Sequence, residues 1–373
     1  MNKIPFVDLT AQYQSIKSEI DEAIAEVIAE TAFISGKYAR QFEADFAAYL
    51  GTSHVIACAN GTDSLEILLQ AMGVSQGDEV IVPAMTWIST SEAVSSVGAT
   101  PVFVDVDPQT YTLNPDLLEA AITEKTRVII PVHLYGHPAD MPRIMEIARR
   151  HDLKVLEDCA QAHGASIDGK LVGSWGDAAS WSFYPGKNLG AYGDAGAMST
   201  ASEELAIMAR SIANHGQPGK KHHHVREGRN SRMDGLQAAI LSVKLKHLPR
   251  WTEQRIHWAQ RYSEQLAGLP VDLPSVGQGI KHVFHVYALH SSQRGDMQAH
   301  LSSRNIAHSV HYPTPLPAMP PYQHLPTQPF PVAQKISDQS LSLPLYPEMT
   351  EEMIQYVCEQ IRLSLSLSES KSS

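Results

Sequence analysis

Cysteine, positive net charge and long apolar runs are all scarce in this 373-residue chain. Its three cysteines, Cys58, Cys159 and Cys358, are too few and too widely spaced for a disulfide framework or a zinc site. A net charge of -11 argues against broad binding to nucleic acid or to anionic membranes. No run approaches the roughly 18 apolar residues of a membrane span, and the N-terminus lacks the apolar region of a signal peptide. We therefore expect a soluble, cytoplasmic protein that binds neither nucleic acid nor membranes.

The length and the segment pattern predict two domains. The chain exceeds the roughly 250 to 300 residues at which a single core stops growing. Strand and helix patterns alternate over residues 54–157, which is typical of a mainly parallel sheet covered by helices on both faces. A change near the proline-containing segment 249–251 predicts a large domain over 1–249 and a smaller domain over 250–365. The serine-rich tail over 366–373 lacks bulky apolar side chains and is expected to be disordered.

Apolar periodicity outside that alternation predicts further elements. Residues three or four apart indicate helices, and alternating residues indicate strands. The predicted helices cover residues 13–33, 38–50, 203–213, 233–248 and 251–266. In the smaller domain the predicted strands cover residues 282–290 and 306–312, and the proline-rich segment 314–331 is an extended loop, either a linker or a cover over a site.

Two stretches combine strand ends with polar residues and glycine. In KVLEDCAQAHGA, residues 154–165, a short strand ends at Asp158 and Gln161 follows. In SFYPGKNLGAYGDAG, residues 182–196, Lys187 lies in a glycine-rich turn after another apolar strand. Because the carboxyl ends of parallel strands share one sheet edge, the two groups can converge. Pyridoxal phosphate needs an amine to hold its aldehyde and a carboxylate to keep its ring nitrogen protonated, so this pair suggests that cofactor.

A third strand end offers a place for the cofactor phosphate. Residues 54–59 predict a strand, and the polar run that starts at Asn60, Gly61 and Thr62 opens a helix. Free backbone N–H groups at such a turn attract anions, although the same residue types are also ordinary helix caps. With Lys187 and Asp158 in the same chain, we interpret this turn as the phosphate site.

The segments EDCAQAHGA, SFYPGKNLGAYGDAG and GRNSRMDGLQAAI resemble the DegT/DnrJ/EryC1/StrS family of sugar aminotransferases, with similarity over residues 4–362. The resemblance implies fold type I of the pyridoxal-phosphate-dependent transferases. This α/β fold is aspartate aminotransferase-like, with a mainly parallel sheet in a large domain and a smaller C-terminal α/β domain. It also implies that Lys187 holds the cofactor, that Asp158 pairs with its ring nitrogen and that Gln161 contacts its ring oxygen. The remaining implied cofactor contacts are Gly61, Thr62, Trp87, Ser182 and Asn230.

The same resemblance implies a homodimer with shared active sites. The loop over residues 214–235 would cross to the second subunit, where Asn230 would reach the cofactor phosphate and Arg232 the substrate. Tyr184, His311 and Tyr312 are the other implied substrate contacts. The three adjacent histidines of this loop, residues 222–224, point in different directions and have no cysteine or carboxylate at ligand spacing, so we predict a polar loop and no metal site.

The implied reaction moves an amino group from glutamate, which becomes 2-oxoglutarate, to a nucleotide-linked ketosugar. Relatives that aminate C-4 often carry histidine at the position of Tyr184, so SFYPGK resembles the branch that aminates C-3, with C-4 as the alternative. A dehydratase of this family would lack the lysine at 187. A non-catalytic regulator that binds pyridoxal phosphate would need a DNA-binding segment, which the sequence does not offer. A nicotinamide oxidoreductase would need G-x-G-x-x-G where this chain has ACANGTDS.

Overall fold

The computed structural model describes residues 3–219, 222–326 and 328–372. Its strands are β1 (His54–Cys58), β2 (Glu79–Pro83), β3 (Thr100–Val104), β4 (Thr126–Ile129), β5 (Lys154–Asp158), β6 (Ser166–Ile167), β7 (Lys170–Leu171), β8 (Ala178–Ser182), β9 (Gly196–Thr200), β10 (Ile280–Lys281), β11 (Tyr287–His290) and β12 (Ser340–Leu343). Its α-helices are α1 (Leu9–Ser15), α2 (Lys17–Ala29), α3 (Gly36–Leu50), α4 (Gly61–Ala71), α5 (Ser89–Ser96), α6 (Met141–Arg150), α7 (Glu203–Ala213), α8 (Gly235–Leu266), α9 (Arg294–Ser303), α10 (Pro331–Gln339) and α11 (Glu351–Ser372). Short 3₁₀ helices lie at Pro115–Leu117, Glu119–Ala121, Leu134–Gly136, Leu316–Ala318 and Pro320–Tyr322.

A seven-stranded sheet organises the large domain, in the order β1-β9-β8-β5-β4-β2-β3. β9 runs antiparallel to both of its neighbours, and the other six strands run parallel to one another. Both faces of the sheet are buried, and successive side chains of each strand point to opposite faces. Val80 and Val82 of β2 pack with α4, α5 and α7, whereas Ile81 between them packs with α6 on the other face. The α/β class and the mainly parallel sheet are therefore as the sequence predicted.

The smaller domain has a core of its own, built on the β11–β12 pair and on α9 and α11. Ile4, near the N-terminus, also packs into this core, where it forms a parallel bridge with Ile306. The segment around Ile4 therefore contacts the C-terminal domain, although the predicted boundary at residue 249 assigns it to the large domain.

Helix α8 passes through the predicted domain boundary without a break. The sequence predicted two helices, over residues 233–248 and 251–266, separated at Pro249. A proline inside a helix removes one hydrogen bond and usually ends or kinks the helix. Here Leu248 and Trp251 are buried on either side of the exposed Pro249, so the apolar face continues across it. Packing on both sides of the proline outweighs the lost hydrogen bond, so the predicted division into two helices was wrong.

Other predicted segments agree in part. The helices predicted over residues 38–50 and 203–213 correspond to α3 and α7, and Gly51 ends α3 in the left-handed conformation. The helix predicted over 13–33 is divided at Ile16 into α1 and α2. Residues 306–312 form isolated bridges at Ile306 and Ser309, not a continuous strand.

The last helix, α11, continues to Ser372, whereas the sequence predicted disorder from Ser366. Ile361 and Leu365 are buried four residues apart, so the apolar face that anchors this helix reaches the start of the serine-rich tail. Ser373 lies outside the described residues. Within the described part of the chain, no helix combines the length and the apolar character that crossing a membrane requires.

Candidate active site

A cavity of about 890 Å³ lies at the carboxyl ends of the parallel strands. Residues that follow β1, β2, β4, β5 and β8 line it, as expected for a site in an open α/β sheet. The lining includes ten of the twelve predicted site residues: Gly61, Thr62, Trp87, Asp158, Gln161, Ser182, Tyr184, Lys187, His311 and Tyr312. These residues come from five separate segments of the chain, so the fold brings together what the sequence could only suggest.

Asp158 is the last residue of β5 and is 5% exposed. Thr90 Oγ1 donates a hydrogen bond to its Oδ2 at 2.9 Å, and the N–H of Ala160 donates to its Oδ1 at 3.1 Å. Burial raises the pKa of Asp158, while these two hydrogen bonds and the charge of Lys187 favour the ionised form. The result is a fixed, buried carboxylate that can pair with a cationic or proton-bearing group in the cavity.

Lys187 lies in the turn that follows β8, and its backbone N–H donates a hydrogen bond to the carbonyl oxygen of Tyr184 at 2.8 Å. Burial lowers the pKa of its ammonium from 10.5 to about 8, against the opposing effect of the Asp158 carboxylate. About one tenth of the amine is therefore neutral at pH 7, and the neutral amine is the form that attacks an aldehyde.

The N-terminus of α4 meets β8 at one wall of the cavity. Asn60 caps the helix by accepting a hydrogen bond from a backbone N–H of the first turn. A Cβ atom on Gly61 would lie 2.7 Å from Cβ of Ser182, so only glycine allows the helix to start this close to the strand. The hydroxyl groups of Thr62 and Ser89 are 2.7 Å apart beside it. Backbone N–H groups and hydroxyls at a helix start form a suitable phosphate site.

Another part of the cavity lining combines aromatic and polar side chains. The N–H of Tyr135 donates to Gln161 Oε1 at 2.7 Å, and Gln161 Nε2 donates to the hydroxyl of Tyr312 at 3.0 Å. The Tyr312 ring lies 5.6 Å from the ring of Trp87, which is 56% exposed although it is large and apolar. Burial lowers the pKa of His311 to about 4, so its ring is neutral at ordinary pH. An exposed tryptophan over a polar cavity is typical of a binding surface for a flat ligand.

Asn230 and Arg232 are the two predicted residues that do not line this cavity. They lie on the loop that precedes α8, where Arg232 Nε donates to Asn230 Oδ1 at 3.0 Å. Asn230 is exposed. Their assignment to the active site of a second subunit remains a prediction.

Several residues at or next to the cavity were not predicted from the sequence. Ser89 lines the cavity and contacts Thr62, and Thr90, which does not line it, supports Asp158. Both follow β2, so the strand-end rule could have pointed to this segment. His285 also lines the cavity, from a segment that the sequence predicted to be part of a strand.

The described residues include one group of possible metal ligands, formed by His133, Glu157 and Cys159. The Glu157 carboxylate accepts hydrogen bonds from three backbone N–H groups within residues 173–176 and contacts His133 Nε2 at 3.1 Å. The other ring nitrogen of His133 accepts from the N–H of Ala139. These hydrogen bonds use the groups that would bind a metal, so the cluster is structural.

Comparison with known proteins shows which enzymes this chain is similar to. A sequence model of the DegT/DnrJ/EryC1/StrS aminotransferase family matches residues 14–362. The chain is 48% identical over 363 residues to the pleiotropic regulatory protein of Geobacillus stearothermophilus, with 96% of this chain and 97% of that protein covered. It is 44% identical over 362 residues to the UDP-N-acetyl-3-dehydro-α-D-glucosamine 3-aminotransferase of Acidithiobacillus ferrooxidans, with coverages of 97% and 98%. The solved structure of ntda from Bacillus subtilis with the bound cofactor PMP has a TM-score of 0.91 and 35% identity, with 98% of this chain and 86% of that chain covered.

Proposed function

Because the chain belongs to the DegT/DnrJ/EryC1/StrS aminotransferase family, we propose that it uses pyridoxal phosphate to move an amino group from glutamate to C-3 of a nucleotide-linked ketosugar. The observation that carries this proposal is the convergence of Lys187, Asp158 and the N-terminus of α4 on one cavity. An amine, a buried carboxylate and a phosphate site are the three groups that this cofactor needs from a protein.

The residues of the cavity fit the cofactor. Gly61, Thr62 and Ser182 would hold its phosphate, because they combine free backbone N–H groups with hydroxyls. Asp158 would face its ring nitrogen, and Gln161 would donate to its ring oxygen, since Gln161 Oε1 already accepts from the backbone. Trp87 would pack on the ring, as its exposed face suggests. When bound, the cofactor supplies an electron sink for removal of a proton from the amino-acid carbon.

Lys187 is the residue that would move protons. Its lowered pKa of about 8 allows Nζ to accept a proton near neutral pH and to release that proton later. Asp158 would keep a proton on the nitrogen that it faces, because its carboxylate is held in place by Thr90 and by the backbone. Tyr184, His311 and Tyr312, around the rest of the cavity, would bind the sugar.

Two observations support amination at C-3. Tyr184 stands where relatives that aminate C-4 often carry histidine, and it is 60% exposed at the cavity. The relative from Acidithiobacillus is named a 3-aminotransferase of a UDP-linked 3-dehydro sugar. We therefore propose a 3-keto nucleotide sugar as the substrate, with the 4-keto isomer as the alternative and with glutamate, the usual donor in the family, as the source of nitrogen.

We also propose a homodimer in which Asn230 and Arg232 complete the site of the partner. Both lie outside the cavity of their own chain and near the surface. Beside them, Ile34 forms a bridge with Asp234, and Ile34 and Phe33 are 55% and 45% exposed. Neighbouring exposed apolar side chains of this kind are typical of a protein interface.

The name of the Geobacillus relative favours a second candidate, a regulator that binds the cofactor without turnover. Such a protein would need the cofactor site but would not need Lys187 to exchange protons. The two candidates therefore differ in what glutamate does to the bound cofactor.

Borohydride reduction tests the proposal. The purified protein should be yellow, and reduction followed by proteolysis and mass spectrometry should place the cofactor on the peptide that contains Lys187. Lys187→Ala should lose this label, whereas Lys170→Ala, which changes an exposed lysine, should keep it. Glutamate added before the borohydride should prevent labelling and release 2-oxoglutarate. A label that glutamate does not change would favour the regulator, and a label on another lysine would contradict the site.

A further inference from the structure

We propose that His285 is the hydrogen-bond acceptor for a hydroxyl group of the sugar substrate. This inference rests on the proposed function, because it concerns how the same cavity recognises its ketosugar. His285 lies between β10 and β11, in the C-terminal domain, and lines the cavity together with Lys187. The C-terminal domain therefore contributes His285 to the cavity that the strand ends of the large domain form.

Asn188, the residue after Lys187, fixes the tautomer of this histidine. Its side-chain Nδ2 donates to the backbone carbonyl oxygen of Val283 at 3.1 Å. A carbonyl oxygen can only accept, so the other end of the amide, Oδ1, must be the atom that contacts His285 Nδ1 at 3.2 Å. Because Oδ1 can only accept as well, Nδ1 of His285 carries the hydrogen. The second ring nitrogen, Nε2, then has a free lone pair.

The surroundings of His285 keep its ring neutral. Burial is the main cause that lowers its pKa well below the ordinary range, and the positive charges of Lys187 and Arg255 act in the same direction. Protonation of Nε2 would put a second cation beside Lys187. Nε2 is therefore an acceptor at working pH and not a donor.

Two neighbouring residues of the cavity each form one hydrogen bond within the protein. His311 Nδ1 contacts Ser342 Oγ at 2.8 Å, and the Tyr312 hydroxyl accepts from Gln161. Nδ1 of His285 is used by Asn188, so Nε2 is the ring nitrogen of His285 that is left for a ligand. Among the residues that the structure describes, no hydrogen bond to Nε2 is formed. An acceptor placed in this way favours a ligand that donates.

The chemistry of the two substrates selects the sugar. Carboxylates of glutamate and phosphates of a nucleotide only accept hydrogen bonds, so a lone pair on Nε2 disfavours contacts with these groups. The amino group of glutamate donates, but that nitrogen is the one that must react with the cofactor. Hydroxyl groups of a sugar ring also donate, and the ketosugar is the part of a nucleotide sugar that must approach Lys187, which lines the same cavity as His285. We therefore assign His285 to recognition of the sugar ring and not to binding of the amino donor or the nucleotide.

Equilibrium binding gives a readout that is independent of turnover. The holoenzyme and its His285→Phe variant would be titrated calorimetrically with UDP-N-acetylglucosamine, an unreactive sugar probe, and with UDP alone. Phenylalanine keeps the ring shape and removes the acceptor, so the variant should bind the sugar nucleotide about tenfold more weakly. Its affinity for UDP should change by less than about twofold, since the proposed contact is with the sugar. Equal affinity for the sugar nucleotide in both proteins, or equal weakening for both ligands, would overturn the assignment.

Single-turnover kinetics then separate this inference from the proposed function. Glutamate should convert the bound cofactor in the His285→Phe variant at nearly the wild-type rate, while the reaction with UDP-N-acetyl-3-dehydro-α-D-glucosamine should slow. His285→Gln should restore part of the sugar reaction, because its amide oxygen can accept. Loss of both half-reactions in His285→Phe would indicate a structural role and overturn the inference, whereas failure of wild-type protein to react with glutamate would contradict the proposed function itself.

Discussion

Lys244 gives a stability prediction whose size can be calculated from the structure. The side chain lies in the middle of α8 and is fully buried. Its Nζ donates to the carbonyl oxygen of Gly190 at 2.7 Å and lies 4.1 Å from the centre of the Tyr192 ring. None of the described ion pairs includes this lysine. Burial lowers its pKa from 10.5 to about 7, although the charge of Glu348 acts in the opposite direction.

The pKa difference fixes how this lysine affects stability with pH. A base whose pKa is lower in the folded state binds fewer protons there than in the unfolded chain, so it destabilises the fold wherever the unfolded chain is protonated. The destabilisation is full below pH 7 and disappears as the pH rises towards 10.5. The linkage relation gives a cost of about 4 kcal/mol at pH 7 and about 2 kcal/mol at pH 9.

The test is urea unfolding of the wild type and of Lys244→Met at both pH values, with tryptophan fluorescence as the measured signal. The variant loses the bond to Gly190 at either pH, so this loss cancels when the two pH values are compared. The free energy of unfolding of the variant minus that of the wild type should therefore fall by about 2 kcal/mol from pH 7 to pH 9. Lys246→Met, which changes an exposed lysine of the same helix, should show no such trend. A difference for Lys244→Met that is the same at both pH values would refute the reasoning.

Three further predictions concern the active site. Asp158→Ala should reduce kcat by several orders of magnitude, because the electron sink depends on a protonated ring nitrogen. Thr90→Val keeps the shape but removes the hydrogen bond to Asp158, so kcat should fall roughly tenfold or more, measured against Thr200→Val, which changes a buried threonine outside the cavity, as the control. Mixed Lys187→Ala and Arg232→Ala protomers should recover part of the wild-type activity, because one site of each mixed dimer would contain neither change.

Each of these predictions has an outcome that would contradict it. Unchanged turnover in Asp158→Ala would remove the carboxylate from the mechanism. Equal losses in Thr90→Val and Thr200→Val would mean that the contact with Asp158 is not the cause. No recovery after proven subunit exchange would place Arg232 in the site of its own subunit or outside any site.

The sequence predicted the parts of the fold that depend on local patterns. The alternation of strand and helix signals sufficed for the parallel sheet, and the strand-end rule located Asp158, Gly61 and Lys187 on one edge. It failed where packing between distant segments decides the structure. Pro249 suggested a break because a local rule was applied, whereas α8 continues through it, with buried residues on both sides.

The same reason explains why some residues of the active site could not be predicted from the sequence. The only local signal at Thr90 is its position after β2, and His285 has none, because each matters through a partner that is distant in the sequence. Thr90 is 68 residues from Asp158, and His285 is 97 residues from Asn188. Asn230 and Arg232 were predicted from resemblance alone, and their own chain does not bring them to the cavity.

The most direct test of the proposed reaction is to find where the new C–N bond forms. Purified enzyme would be given ¹⁵N-labelled glutamate with either UDP-N-acetyl-3-dehydro-α-D-glucosamine or its 4-keto isomer, and the products would be analysed by NMR. We predict efficient transfer of ¹⁵N to C-3 of the 3-keto sugar. Turnover of the 4-keto isomer alone would contradict the assignment of C-3, and transfer to neither sugar would contradict the proposed substrate class.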